Sequence, residues 1–91
     1  MNIDEEEEGF YLFDWMFRLG LKRKQFFVYA IIYDFVTRKR EKVFSKTLQE
    51  YLNSSQQSIA RVLKILERKG FIEHIPTKKG YEYTIKATKE E

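Results

Sequence analysis

Cysteine is missing from the 91-residue chain. Its absence removes disulfides, zinc–thiolate sites and thiol nucleophiles together, and it suits a reducing cytosol. Histidine occurs once, at His74, so no second imidazole or thiolate completes a metal site with it. A structural or surface role is the expectation for that ring. No apolar run is long enough to span a bilayer, and the acidic N-terminus does not read as a secretory signal. Neither a phosphate-binding glycine loop nor a nucleophile–base motif is found. These absences predict a cytoplasmic protein of one domain, not an enzyme, with no cofactor, no metal and no membrane partner.

What the chain does contain is apolar and basic. Hydrophobic residues make up 43% and aromatics 16%, ample for a core. The charge is unevenly placed. Residues 1–14 carry six acids and no base, whereas residues 15–91 carry all 17 Lys and Arg against eight acids. A basic body with an acidic tail is a common layout for nucleic-acid partners, although a solubilising surface looks the same in composition.

Residues 1–9 read as a disordered acidic arm. Glu5 to Glu8 there could hold a metal or mimic phosphate, but a solubilising tail accounts for them more simply. Residues 10–19 are dense in aromatics and predict a short strand, then a helical turn capped by Asp14 and ended by Gly20. The first main helix is expected over 22–39. From Phe26 to Val36 only Asp34 is not apolar, so this helix needs cover on both sides. The rest of the domain supplies one side. Residues 10–19, or a second copy in a homodimer through residues 10–36, must supply the other.

Val43 and Phe44 suit a short strand. A helix follows over about 46–52, capped by Ser45, or by Thr47 with Glu50 as a capping box. Asn53, Ser54 and Ser55 make a turn, and the next helix spans 56–69. Ser55 caps it, or Ser54 with Gln57 does. Its core stripe is Ile59, Val62, Leu63 and Leu66, and Gly70 sits at the left-handed C-terminal cap. Strand 71–75 closes at Pro76, the only proline. Thr77 to Gly80 form a basic loop, and Tyr81, Tyr83 and Ile85 alternate with polar residues in a half-buried strand. Residues 87–91 are expected to fray.

Two helices joined by a short polar turn, the second with few acids, are the makings of a helix-turn-helix. The second helix can enter a major groove. Its outward face carries Gln56, Gln57, Ser58, Ala60, Arg61, Lys64 and Arg68, following Ser54 and Ser55 in the turn. Gln pairs bidentately with adenine and Arg with guanine, and small Ala60 permits close approach. Lys78 and Lys79 at the hairpin tip suit phosphate, which positions without reading sequence. A solvated surface helix and a solvated loop tip are the plainer alternatives. Glu73 and Glu82 on adjacent strands are a carboxylate pair without a pocket, hence not catalytic. The aromatics at 10–17 suit packing or dimerisation better than base stacking.

The stretch "LQEYLNSSQQSIARVLKILERKGFIEHI" resembles the winged helix-turn-helix superfamily. With the hairpin it covers about half the chain. The block "LGLKRKQFFVYAIIYDF" before it is similar to N-terminal DNA-binding domains of replication initiators and replisome organisers from phages and plasmids. Those domains often carry Ser where Lys22 stands and usually belong to longer proteins. The resemblance implies that helix 56–69 is the recognition helix, with Gln56, Gln57 and Arg61 at contact positions. The expected fold is α+β: a winged helix-turn-helix over 10–86, with three main helices, a C-terminal hairpin wing and a short extra N-terminal element. The expected partner is double-stranded DNA. A protein–protein adaptor using the aromatic N-terminal segment is the alternative.

Overall fold

The computed structural model describes residues 12–86. The acidic arm, Phe10, Tyr11 and the 87–91 tail lie outside the described residues. Three helices and a three-stranded antiparallel sheet make an α+β domain. Helix α1 spans Arg23–Tyr33 and continues as a π-helical stretch, Asp34–Lys39. Strand β1 (Val43–Phe44), α2 (Ser45–Leu52), α3 (Gln56–Arg68), β2 (Ile72–Thr77) and β3 (Gly80–Ile85) follow. The sheet order is β1-β3-β2, with Val43 opposite Tyr83 and Ile72 opposite Ile85. Helix-helix-hairpin in this order is compatible with a winged-helix arrangement.

Helix ends differ from expectation in ways local chemistry explains. Lys22 occupies the N-cap of α1 and has no acceptor to offer. Only the reverse half of a capping box forms, the Lys22 N–H donating to Gln25 Oε1 at 3.2 Å. Helix α2 repeats this device: its cap position is Phe44, whose N–H donates to the Thr47 hydroxyl. Ser45 and Thr47 are therefore helical residues and not caps, and the expected Thr47–Glu50 box lies inside the helix. Ser55 does cap α3, accepting from the Ser58 N–H at 3.1 Å. Ser54 instead donates its hydroxyl to the Leu52 carbonyl.

The C-terminal ends of α2 and α3 both use left-handed residues. Asn53 (φ +50°) ends α2, and the Ser54 N–H reaches the Gln49 carbonyl. Gly70 (φ +88°) ends α3 in a Schellman motif: Phe71 N–H donates to the Leu66 carbonyl, and Gly70 N–H to the Glu67 carbonyl. This turn drops the chain straight into β2.

The apolar first helix obtains its two-sided cover within the chain. On one side Val28, Ile31 and Ile32 join Leu48, Ile59 and Leu66 in a core with no solvent exposure. On the other lies a 3₁₀ helix, Asp14–Arg18, in place of the Asp14-capped turn expected; Leu12 and Phe13 before it form no strand, and the rest of the expected strand lies outside the described residues. Phe13 holds its cap position and Asp14 is its first residue. Met16 is fully buried, Trp15 meets Tyr33 edge-on at 5.2 Å, and Phe17 lies 4.8 Å from Phe26. Asp34, the one polar residue in the apolar run, is 2% exposed and paired bidentately with Arg38 one turn on.

Two expectations for the hairpin need correction. Pro76 does not close β2 but pairs with Tyr81 inside it. An edge strand tolerates this, because its outer side needs no donor. Of the β3 residues expected to face inward, Tyr83 and Ile85 pack on the core but Tyr81 is 54% exposed, and Glu82 and Thr84 are half-buried as well, so burial does not alternate along the strand. The distal half of the hairpin projects beyond the helices that would cover it.

Candidate nucleic-acid interface

The amphipathic pattern of α3 fixes its orientation. Ile59, Val62, Leu63 and Leu66 are buried, which turns Gln57, Arg61, Lys64 and Arg68 outward. Spaced four, three and four residues apart, these form one ridge along the helix. All four are exposed, and among the described residues no carboxylate pairs with Arg61, Lys64 or Arg68. The sole acid of α3, Glu67, is engaged by His74.

Gln56 and Ala60 lie on one flank of that ridge. Together with Lys46 and Gln49 of α2 and Lys79 and Tyr81 of the hairpin they line an open cleft of about 480 Å³. No carboxylate lines it. A smaller depression beside it, about 240 Å³, takes in Lys42, Phe44, Thr77, Lys78 and Lys79. The two lysines at the hairpin tip thus border two neighbouring hollows, Lys79 reaching both. Thr77 holds the tip in shape, its hydroxyl accepting from the Lys79 N–H and donating to the Gly80 carbonyl.

Ser58 stands on the opposite flank of α3. Its hydroxyl accepts a hydrogen bond from Lys24 Nζ at 2.9 Å, joining the first turns of α1 and α3. Ser55 is occupied in capping and Ser54 in its turn, so of the three serines none has a hydroxyl free of intramolecular bonds. The residues brought to one surface are Gln56, Gln57, Ala60, Arg61, Lys64, Lys78 and Lys79.

Sequence reading missed Lys42, Lys46, Gln49 and Tyr81. Lys46 and Gln49 sit three apart on a short helix, and nothing in their spacing tells that the hairpin will come to face them. It also missed the clasp between hairpin and helix. His74 Nδ1 contacts Glu67 Oε2, and the His74 ring packs against Tyr81 at 4.6 Å and Tyr83 at 6.4 Å. Burial, then the nearby Glu67 carboxylate and Tyr81, push the Tyr83 phenol above its ordinary range. His74 therefore has the structural role expected of it. Among the described residues no group of His, Asp and Glu is placed to hold a metal.

Chemically this surface offers cationic and amide donors in a fixed frame, with little that repels an anion. Compared with protein-family models, with curated proteins and with solved structures, the chain matches none. What the surface does must be read from its own geometry. No helix among the described residues is long and apolar enough to cross a membrane.

Proposed function

We propose that the domain is a winged helix-turn-helix that binds duplex DNA, placing α3 in the major groove and the β2–β3 wing on the backbone. One observation carries this reading. The outward ridge of α3, with Gln57, Arg61 and Lys64, stands beside a cleft in which Gln56, Ala60 and wing residue Lys79 meet without a carboxylate. Gln and Arg side chains there have the donor geometry for adenine and guanine edges. The wing lysines Lys78 and Lys79, Lys46 of α2 and Lys42 just before β1 supply phosphate contacts. A transcription regulator, or a replication or maintenance factor of a mobile element, is the class of protein this describes.

The test is titration of the full chain with fluorescent duplex over a range of salt. The logarithm of affinity is expected to fall linearly with the logarithm of salt, by roughly 0.9 per phosphate contact. Lys79→Ala should weaken all duplexes alike. Arg61→Ala should cost on the order of 1–3 kcal/mol at a preferred site and relax base choice there. Equal affinity of wild type and Arg61→Ala for every duplex would remove Arg61 from base reading.

A second reading is favoured by a different surface. Leu12, Phe13, Trp15 and Phe17 remain 38–65% exposed after docking on α1. Such a face suits a protein partner, either a second copy through residues 10–36 or an adaptor target. No binding to pooled random duplex at low salt would favour the adaptor. A sedimenting monomer at high concentration would remove the second copy.

A further inference from the structure

The flank of α3 away from the wing carries a second basic feature that the DNA reading did not use. At the start of α1, Arg23 is exposed, and among the described residues no carboxylate pairs with it. Next to it, Lys24 is half-buried and held by its bond to Ser58 of α3. An ammonium has three donors, so two remain. Arg23, Lys24 and Ser54 rim a shallow depression of about 180 Å³ whose remaining lining is Phe27 and Leu52. The hollow is therefore apolar inside and cationic at its edge.

Its position relative to the wing follows from helix geometry. At about 100° per residue, Ser58 lies roughly 200° around α3 from Gln56 and about 160° from Ala60. Gln56 and Ala60 line the wing-side cleft, so the depression lies across the recognition ridge from the wing.

We propose that this depression is a second backbone-binding site, which takes one sugar–phosphate unit of the DNA strand on the far side of α3. The inference rests on duplex binding by α3, as proposed above. The ligand chemistry follows from the lining. A deoxyribose presents an apolar face that matches Phe27 and Leu52, and the phosphate beside it matches Arg23 and Lys24. The Lys24–Ser58 bond makes the site rigid with respect to α3, so a phosphate seated there fixes the depth and angle of the recognition helix. Wing and depression then clamp the backbone from both sides of one groove.

Arg23→Gln and Lys86→Gln in the full chain test this directly. Each removes one positive charge from an exposed side chain. Lys86 lies at the base of the hairpin, at the end remote from its tip. With fluorescent duplexes of several sequences, Arg23→Gln should reduce the salt slope by about one unit and lower affinity several-fold for all of them. Lys86→Gln should leave the slope close to wild type. Equal losses in the two variants would overturn the proposal, since net charge alone would explain them. So would an Arg23→Gln loss confined to one sequence, which would mean base reading. An unchanged Arg23→Gln slope in a chain that does bind duplex overturns this site alone. Failure of the wild-type chain to bind any duplex overturns the parent reading and this one with it.

Discussion

Truncating Met16 to alanine tests how the N-terminal segment is held. Met16 is fully buried between the 3₁₀ helix and α1, whereas its neighbour Phe17 is 65% exposed. A fully buried methionine loses its whole transfer free energy and leaves a cavity, so Met16→Ala should cost about 2–5 kcal/mol. Phe17→Ala, which gives up mainly a ring contact with Phe26, should cost below about 1 kcal/mol. A domain of this size has a stability on the order of 5–15 kcal/mol, so the first loss is large. At roughly 4–8 °C per kcal/mol it lowers the melting temperature by about 10 °C or more. Trp15, the sole tryptophan, packs edge-on against Tyr29 and Tyr33 and reports the same segment. Urea denaturation followed by Trp15 fluorescence and by far-ultraviolet dichroism gives local and global transitions together. They should coincide in the wild type, because Met16 belongs to the main core. A Met16→Ala variant within about 0.5 kcal/mol of wild type would refute this packing.

Two further predictions concern the tyrosines and the wing. Burial, with Tyr33 as the second cause, pushes the Tyr29 phenol up to about 12 from its ordinary 10.0. The folded state keeps this proton where the unfolded chain has released it, so the contribution is intact below about pH 10 and is lost as pH climbs toward 12. Urea melts over that range should show a shallower decline for Tyr29→Phe than for wild type; superimposable profiles would discount the effect. His74→Ala removes the clasp to Glu67 and the ring contacts with Tyr81 and Tyr83. Both partners of the clasp are partly exposed, so stability should change by less than about 1 kcal/mol. Amide resonances of the hairpin tip should nevertheless shift, and duplex affinity should fall. Unchanged tip resonances would show that the wing is positioned by β-pairing alone.

Periodicity made the helices legible. The stripe Ile59, Val62, Leu63, Leu66 named the buried face of α3, and Ser55 and Gly70 marked its ends. The apolar run 26–36, broken only by Asp34, also disclosed that α1 needs two covers. What periodicity could not show was how that need is met, because Met16 becomes core only when the chain doubles back. The cap of α2 was misread because no oxygen-bearing side chain stands at its cap position, and α1, for which no cap was expected, starts in the same way. Lys22 and Phe44 cannot accept, and the side chain three residues later supplies the bond instead. The π-helical stretch 34–39 has no signature that separates it from α-helix in sequence. The pairing of β1 with β3 is a long-range contact that brings Phe44 beside Glu82 and helps set α2 beside the wing. For that reason Lys46 and Gln49 were invisible as lining residues, whereas the ridge on α3 needed only helical spacing.

Presentation of that ridge depends on both of its flanks. The wing is tied to α3 through Glu67 and His74, and α1 through Ser58 and Lys24. Both ties are polar contacts near the surface, so the frame around Arg61 is set by specific side chains as well as by the core.

Selection of bound sequences from a random duplex pool, run in parallel with wild type and Arg61→Ala, tests the central claim most directly. The wild-type chain should enrich a defined motif, and Arg61→Ala should lose preference at one or two of its positions while retaining binding. A wild-type pool that emerges unenriched, with no duplex retained at low salt, would contradict recognition of DNA by α3.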